Sequence, residues 1–138
     1  MTGEYNHSVD AKGRLFIPAK LREDLGTVFY VTVAPDQCLS AYSSDSWDQF
    51  LEKFKAMPQT KKQKIRALFA HAAKCELDAQ GRILLPQKLR EYAKLSKEVA
   101  IIGVGDHAEI WDAERWSEVS AIETTPENIA AALEELEF

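Results

Sequence analysis

The chain is poor in the residues that most often build a chemical centre. Its two cysteines, Cys38 and Cys75, form no C-x-x-C pair and no zinc-ligand spacing, so they read as buried thiols. Its three histidines, His7, His71 and His107, are scattered, with no H-E-x-x-H arrangement. There is no Walker loop, no G-x-S-x-G elbow and no G-x-G-x-x-G turn. Neither an enzyme nor a cofactor is expected. Long apolar runs are missing too. Val99–Gly105 (VAIIGVG) falls far short of the ~20 residues that span a bilayer. The opening MTGEYNHS lacks the basic and apolar stretches of a signal peptide. There is no low-complexity linker, and there is no excess of positive charge. The formal net charge of −5 argues against a wholly basic nucleic-acid coat.

What is present is ordinary globular composition, unevenly charged. Hydrophobic residues make up 46% and charged residues 28%, enough for one compact domain or two interdependent halves sharing a core. Residues 51–75 hold Lys53, Lys55, Lys61, Lys62, Lys64, Arg66 and Lys74 against Glu52 alone, a local +6. Residues 109–138 hold nine acids against Arg115 alone, a local −8. Local patches therefore decide what the surface attracts.

The chain also contains one passage twice. SVDAKGRLFIPAKLREDLG (8–26) and ELDAQGRILLPQKLREYAK (76–94) share nine of nineteen positions at a constant offset of 68. A duplicated polar loop suits a protein that presents one contact twice. The repeat extends further: VFYVTV (28–33) aligns with VAIIGV (99–104). Pro35-Asp36 and Gly105-Asp106 then mark turns, and Tyr42/Trp47 and Trp111/Trp116 are aromatic pairs five apart. Each half reads strand, tight turn, strand, short helix, strand, turn, strand, helix. Pro18 and Pro86 open the short helices, and Gly26 caps the first. Trp47, Phe50, Leu51 and Phe54 recur at i, i+3, i+4, i+7, an amphipathic helix ended by Pro58. Thr60-x-x-Gln63 has the form of a capping box and predicts a helix to about Ala73, with Ile65, Leu68, Phe69 and Ala72 on one face. Thr125-Pro126 starts a last helix striped by Ile129, Leu133 and Leu136, which must dock on something. The three tryptophans read as packing residues.

The sharpest chemistry lies in the duplicated loops DAKGR (10–14) and DAQGR (78–82). Asp first and Gly fourth suit a type I turn, with Gly13 and Gly81 as turn support. The turn carries Arg14 or Arg82 to the mouth of a hairpin. A guanidinium has five donors in a fixed fork, which match guanine O6/N7 or phosphate. Lys12 adds a phosphate-seeking cation, and Gln80 takes its place in the second copy. An alternative is purely local, with Asp10 pairing Arg14 and Asp78 pairing Arg82 to stabilise the turns. Lys20, Arg22, Lys88 and Arg90 stand beside Glu23 and Glu91 and read as a solvated face, as do Lys61–Arg66. Asp10 and Asp78 have turn duties that argue against a carboxylate dyad.

With those residues in view, the chain resembles the bacterial MraZ family. GEYNHSVDAKGRLFIPAKLRE looks like that family's N-terminal signature, and CELDAQGRILLPQKLREYA like its internal repeat. The likeness covers residues 1 to about 120. It implies a mainly β, α+β chain in which two AbrB-like modules make a swapped-hairpin β-barrel flanked by helices. The modules would span 1–57, with its C-terminal helix, and 75–120, joined by a basic helix at 58–74 and followed by an amphipathic helix at 121–138. It further implies a cytoplasmic, nucleoid-associated regulator of transcription. Such a regulator binds short direct repeats in double-stranded DNA before its own operon of cell-division and wall-synthesis genes, and assembles into rings. The family's DxxxR motifs fall on Asp10–Arg14 and Asp78–Arg82, with Lys12 at the basic position and Gln80 departing from it. Two other functions stay open: a ring-forming assembly module without nucleic acid, and an AbrB-like antitoxin.

Overall fold

The computed structural model describes residues 1–138. The first half runs β1 (Glu4–Ser8), β2 (Arg14–Phe16), α1 (Ala19–Leu25), β3 (Val28–Ala34), a 3-10 turn at Pro35–Gln37, β4 (Cys38–Ser43) and α2 (Ser44–Lys55). Helix α3 (Gln59–Ala70) follows. The second half repeats the order with β5 (Ala73–Glu76), β6 (Arg82–Leu84), α4 (Gln87–Tyr92), β7 (Glu98–Gly103), β8 (Ala108–Asp112) and α5 (Ala113–Glu123), and α6 (Pro126–Glu135) closes the chain. This is the α+β order that the repeat predicts, but the chain is not mainly β: its helices hold more residues than its strands, because α3 and α6 add to the helices within the two halves.

The halves are not side by side but crossed. The strands form a six-stranded antiparallel sheet, β1-β7-β8-β4-β3-β5, and a two-stranded ribbon, β2-β6. Strand β1 pairs with β7 of the second half, and β5 with β3 of the first. The fourth strands meet at the centre, where Leu39 faces Ile110 and Ala41 faces Ala108. Two expectations need correction. The hairpin imagined across each loop is reduced to a single bridge at the first, Val9↔Leu15, and β5 and β6 form no ladder at the second, because β1 and β5 spend their ladders on the other half. Nor do the strands close a barrel: β1 and β5 end the large sheet unpaired with each other, and β2-β6 stands apart.

The core explains why crossing is stable. Leu15, Ile17, Leu21 and Leu25 of the first half, Phe29, Val31 and Leu39 beyond them, and Ile83, Leu85, Leu89, Val99, Ile101 and Ile110 of the second belong to one buried cluster. Period-2 burial on β3 and the apolar stripes of α1 and α4 point into it. Both halves contribute to this one cluster, and sharing it lets a short chain bury more apolar surface than two separate cores would. Cys38 and Cys75 are free and buried; burial pushes their thiols up to about 12 and about 11.

Three boundaries differ from expectation. The register pairs Ser8 with Glu98 and Glu76 with Val28, so Val28 corresponds to Glu98, not Val99; residues 93–97 carry two extra positions that alignment did not place. Thr60 caps nothing: α3 starts at Gln59 after Pro58, without a side-chain cap. The Pro58 carbonyl accepts from the amides of Lys61 and Lys62 instead, and Thr60 lies inside the first turn. The helix also stops at Ala70, because Ala73 joins β5 and pairs with Val31. The caps that do form are Ser43 on Ser46 N (3.2 Å), Asp112 on Arg115 N (3.3 Å) and Thr125 on Asn128 N (3.3 Å).

Helix α6 keeps its stripe in the open. Ile129 is 46% exposed, Leu133 47% and Leu136 67%, and its packing is against α5. No helix is long and apolar enough to cross a membrane.

One core predicts one transition. Phe29→Ala removes a fully buried ring and is expected to cost about 3–5 kcal/mol, lowering a single urea transition seen alike by tryptophan fluorescence and circular dichroism. Two separated transitions would mean that the halves fold independently.

Candidate functional site

Each duplicated loop is a turn whose aspartate organises its own backbone. The Gly13 amide donates to Asp10 O and the Gly81 amide to Asp78 O, both at 3.0 Å. The carboxylate then caps the loop from inside. Asp10 Oδ1 accepts from Lys12 N (3.0 Å) and Arg14 N (2.9 Å), and Asp78 Oδ1 accepts from Gln80 N and Arg82 N (both 2.9 Å). The second oxygen takes the arginine: Arg14 Nε to Asp10 Oδ2 at 2.7 Å, Arg82 Nε to Asp78 Oδ2 at 3.0 Å. The local ion pairs of the alternative account therefore exist, but they use only Nε. Neither forked end hydrogen-bonds its own aspartate, and both side chains keep about a third of their surface exposed (35% and 28%).

Crossing brings the loops together. Arg14 faces Leu84 and Phe16 faces Arg82 across the β2-β6 ribbon. Arg82 Nη1 lies 4.0 Å from Asp10 Oδ2 of the other loop. Lys12, Arg14, Asp78 and Arg82 line one shallow cleft together with Glu76 and Leu84. Gln80 is exposed on the second loop beside it. All eight residues singled out from the motifs thus sit in two adjoining loops.

The glycines are required by conformation and by space. Gly13 has φ +85° and Gly81 φ +78°, in the region that L side chains avoid. Each carbonyl is held from the opposite half: Leu85 N donates to Gly13 O, and Ile17 N to Gly81 O, both at 2.9 Å.

Sequence reasoning misjudged two neighbours. Arg22 and Arg90 are not on a solvated face. Both are half-buried; Arg90 Nε donates to Leu85 O at 3.0 Å, and Arg22 lies 5.3 Å over the Phe16 ring. Lys20 and Lys88, on the same helices, are exposed as expected. Reasoning also missed Leu84, 60% exposed at the cleft. Its signal was available: an apolar residue at the outward position of a three-residue strand.

Backbone donation sets the aspartates' titration. The Arg14 amide above all, then the Arg14 side chain and the Lys12 amide, holds Asp10 below its usual 3.8. The Arg82 amide, then the Gln80 amide, does the same for Asp78. A carboxylate whose pKa is lower in the folded chain stabilises it above the ordinary value and ceases to as pH falls through the lowered one. The stability deficit of Asp10→Asn/Asp78→Asn relative to wild type is therefore expected at near-neutral pH and should shrink as pH drops below 3.8. Urea titrations across that range check it; a deficit independent of pH contradicts it.

Comparison with known proteins agrees with the repeat. A family model described as "MraZ protein, putative antitoxin-like" matches residues 1–67 and again 68–135. The protein named transcriptional regulator MraZ from Carboxydothermus hydrogenoformans is 53% identical over 118 residues, 83% of this chain and 82% of its own. That of Acetivibrio thermocellus is 50% identical over 132 residues, covering 93% and 92%. That of Caldicellulosiruptor saccharolyticus is 49% identical, covering 99% and 98%. Two consecutive matches to one model and near half identity along the whole length leave a single assignment: this chain belongs to the MraZ family.

Proposed function

We propose that this protein is a sequence-specific, double-stranded-DNA-binding regulator of transcription that reads repeated sites upstream of its own operon through the loops 10–14 and 78–82. The observation that carries this is the pairing of two DxxxR turns in one cleft, each arginine anchored by Nε on its own aspartate with its side chain still partly exposed. An anchored, planar fork suits bidentate contact with guanine O6/N7. Lys12 supplies a phosphate contact, which positions without specifying. Gln80 suits an adenine edge, and Leu84 a thymine methyl. The crossed strands support the AbrB-like, swapped-hairpin relation between the halves. The relatives' name, transcriptional regulator, accords with this function.

Self-assembly is part of the proposal. The exposed stripe of α6 lies in a segment of charge −8, whereas the +6 stretch runs from the end of α2 through α3 to β5, beside an apolar groove lined by Trp47, Phe50, Phe54, Ile65 and Leu68. Opposite charges flanking complementary apolar faces on different halves favour head-to-tail contact between copies. Several copies on several repeats then bind by avidity.

Fluorescence anisotropy tests the DNA contact, using a duplex from upstream of the gene beside a scrambled one at two salt concentrations. Arg14→Ala or Arg82→Ala is expected to cost about 1–3 kcal/mol per engaged site, and both affinities fall with salt while the preference persists. Equal affinity for both duplexes, unmoved by either substitution, sinks the assignment.

A further inference from the structure

Arg22 and Arg90 belong to neither loop, yet each lies against one, and in both cases it is the loop of the other half. A methyl group built on Gly13 would stand 3.0 Å from Cζ and Nη2 of Arg90. One built on Gly81 would stand 2.6 Å from Nη1 of Arg22 and 3.2 Å from the Phe16 ring. The guanidinium planes are thus packed on the glycines with no room between. Arg90 is tied in place by its bond to Leu85 O. Arg22 is held by Phe16, and its Nε is buried without a partner. Burying an unpaired donor carries a cost that an apolar residue of similar reach would not, so packing alone is a poor account of an arginine here. A planar, weakly hydrated guanidinium can lie flat on backbone and still offer charge at its rim.

We propose that Arg90 positions the loop 10–14 and Arg22 the loop 78–82, so that each DNA-contacting loop is held from the opposite half. The proposal rests on the DNA-binding function above. It adds that the two contacts are coupled crosswise: the first loop's aim depends on the second half's helix α4, and the second loop's on α1. It also predicts an asymmetry, because Arg90 has an anchoring hydrogen bond and Arg22 has none. The Gly81 loop is then the looser of the two.

Double-mutant cycles in the full chain test it, with Kd for the upstream duplex as the readout. Arg90→Ala is expected to be non-additive with Arg14→Ala by at least about threefold, and more strongly than with Arg82→Ala, which meets the same loop only through the 4.0 Å approach to Asp10; Arg22→Ala should show the reverse order. Stronger coupling within the same half, or additivity throughout, overturns the proposal. Hydrogen exchange of the DNA-free protein reads the same property without DNA. Arg90→Ala should deprotect the peptide containing Gly13 and spare that containing Gly81, and Arg22→Ala the converse. Equal loosening of both peptides, or of neither, also overturns it. If Arg14→Ala and Arg82→Ala leave DNA affinity unchanged, the DNA-binding function fails, and the exchange data still decide the crosswise hold. Arg22→Lys and Arg90→Lys keep charge and stem but lose the fork. They replace the alanine variants should those not fold, with the same pattern expected.

Discussion

Strand β1 leaves its own half to pair with β7, and β5 returns the exchange by pairing with β3. Nearly everything else about the molecule follows from that crossing. It forces β2 and β6 into a ribbon of their own, which places Arg14 and Arg82 on adjoining loops. It lays Leu85 N against Gly13 O and Ile17 N against Gly81 O. It also puts the apolar faces of both halves into one cluster. Were each half to pair with itself, the loops would sit on separate hairpins without a shared cleft.

Duplication lowers the problem of building a double site. One turn design, Asp capping the backbone and holding Arg by Nε, appears twice with almost the same distances. The differences then become informative. Lys12 against Gln80, Phe16 against Leu84 and a bonded Arg90 against an unbonded Arg22 make two related but unequal loops. A net charge of −5 does not describe the surface locally, because residues 51–75 carry a local +6 and residues 109–138 a local −8.

Much of this was legible in the residues. The order of elements followed from two aligned periodic patterns, and the Asp-to-Gly turn from the known demands of that geometry. The loop residues were visible because polar identity at fixed offsets stands out against changing apolar neighbours. The crossing was not readable from pattern, since β1 fits either half's third strand equally well; only the family resemblance implied it. Thr60 misled because a capping box is a local signal, and Pro58 takes the N-cap position two residues before it. Arg22 and Arg90 were misplaced for a different reason. Their charge and neighbours Glu23 and Glu91 are those of a solvated helix, and only the tertiary approach of the opposite loop buries them.

The central claim is that one chain offers both loops to DNA as a single surface. Hydrogen exchange measured by mass spectrometry, with and without the upstream duplex, tests it most directly. The account predicts that peptides covering 9–16 and 77–84 gain protection together on binding, with no comparable change at the sheet centre. Protection at one loop alone, or confined to α3 and its lysines, would contradict it.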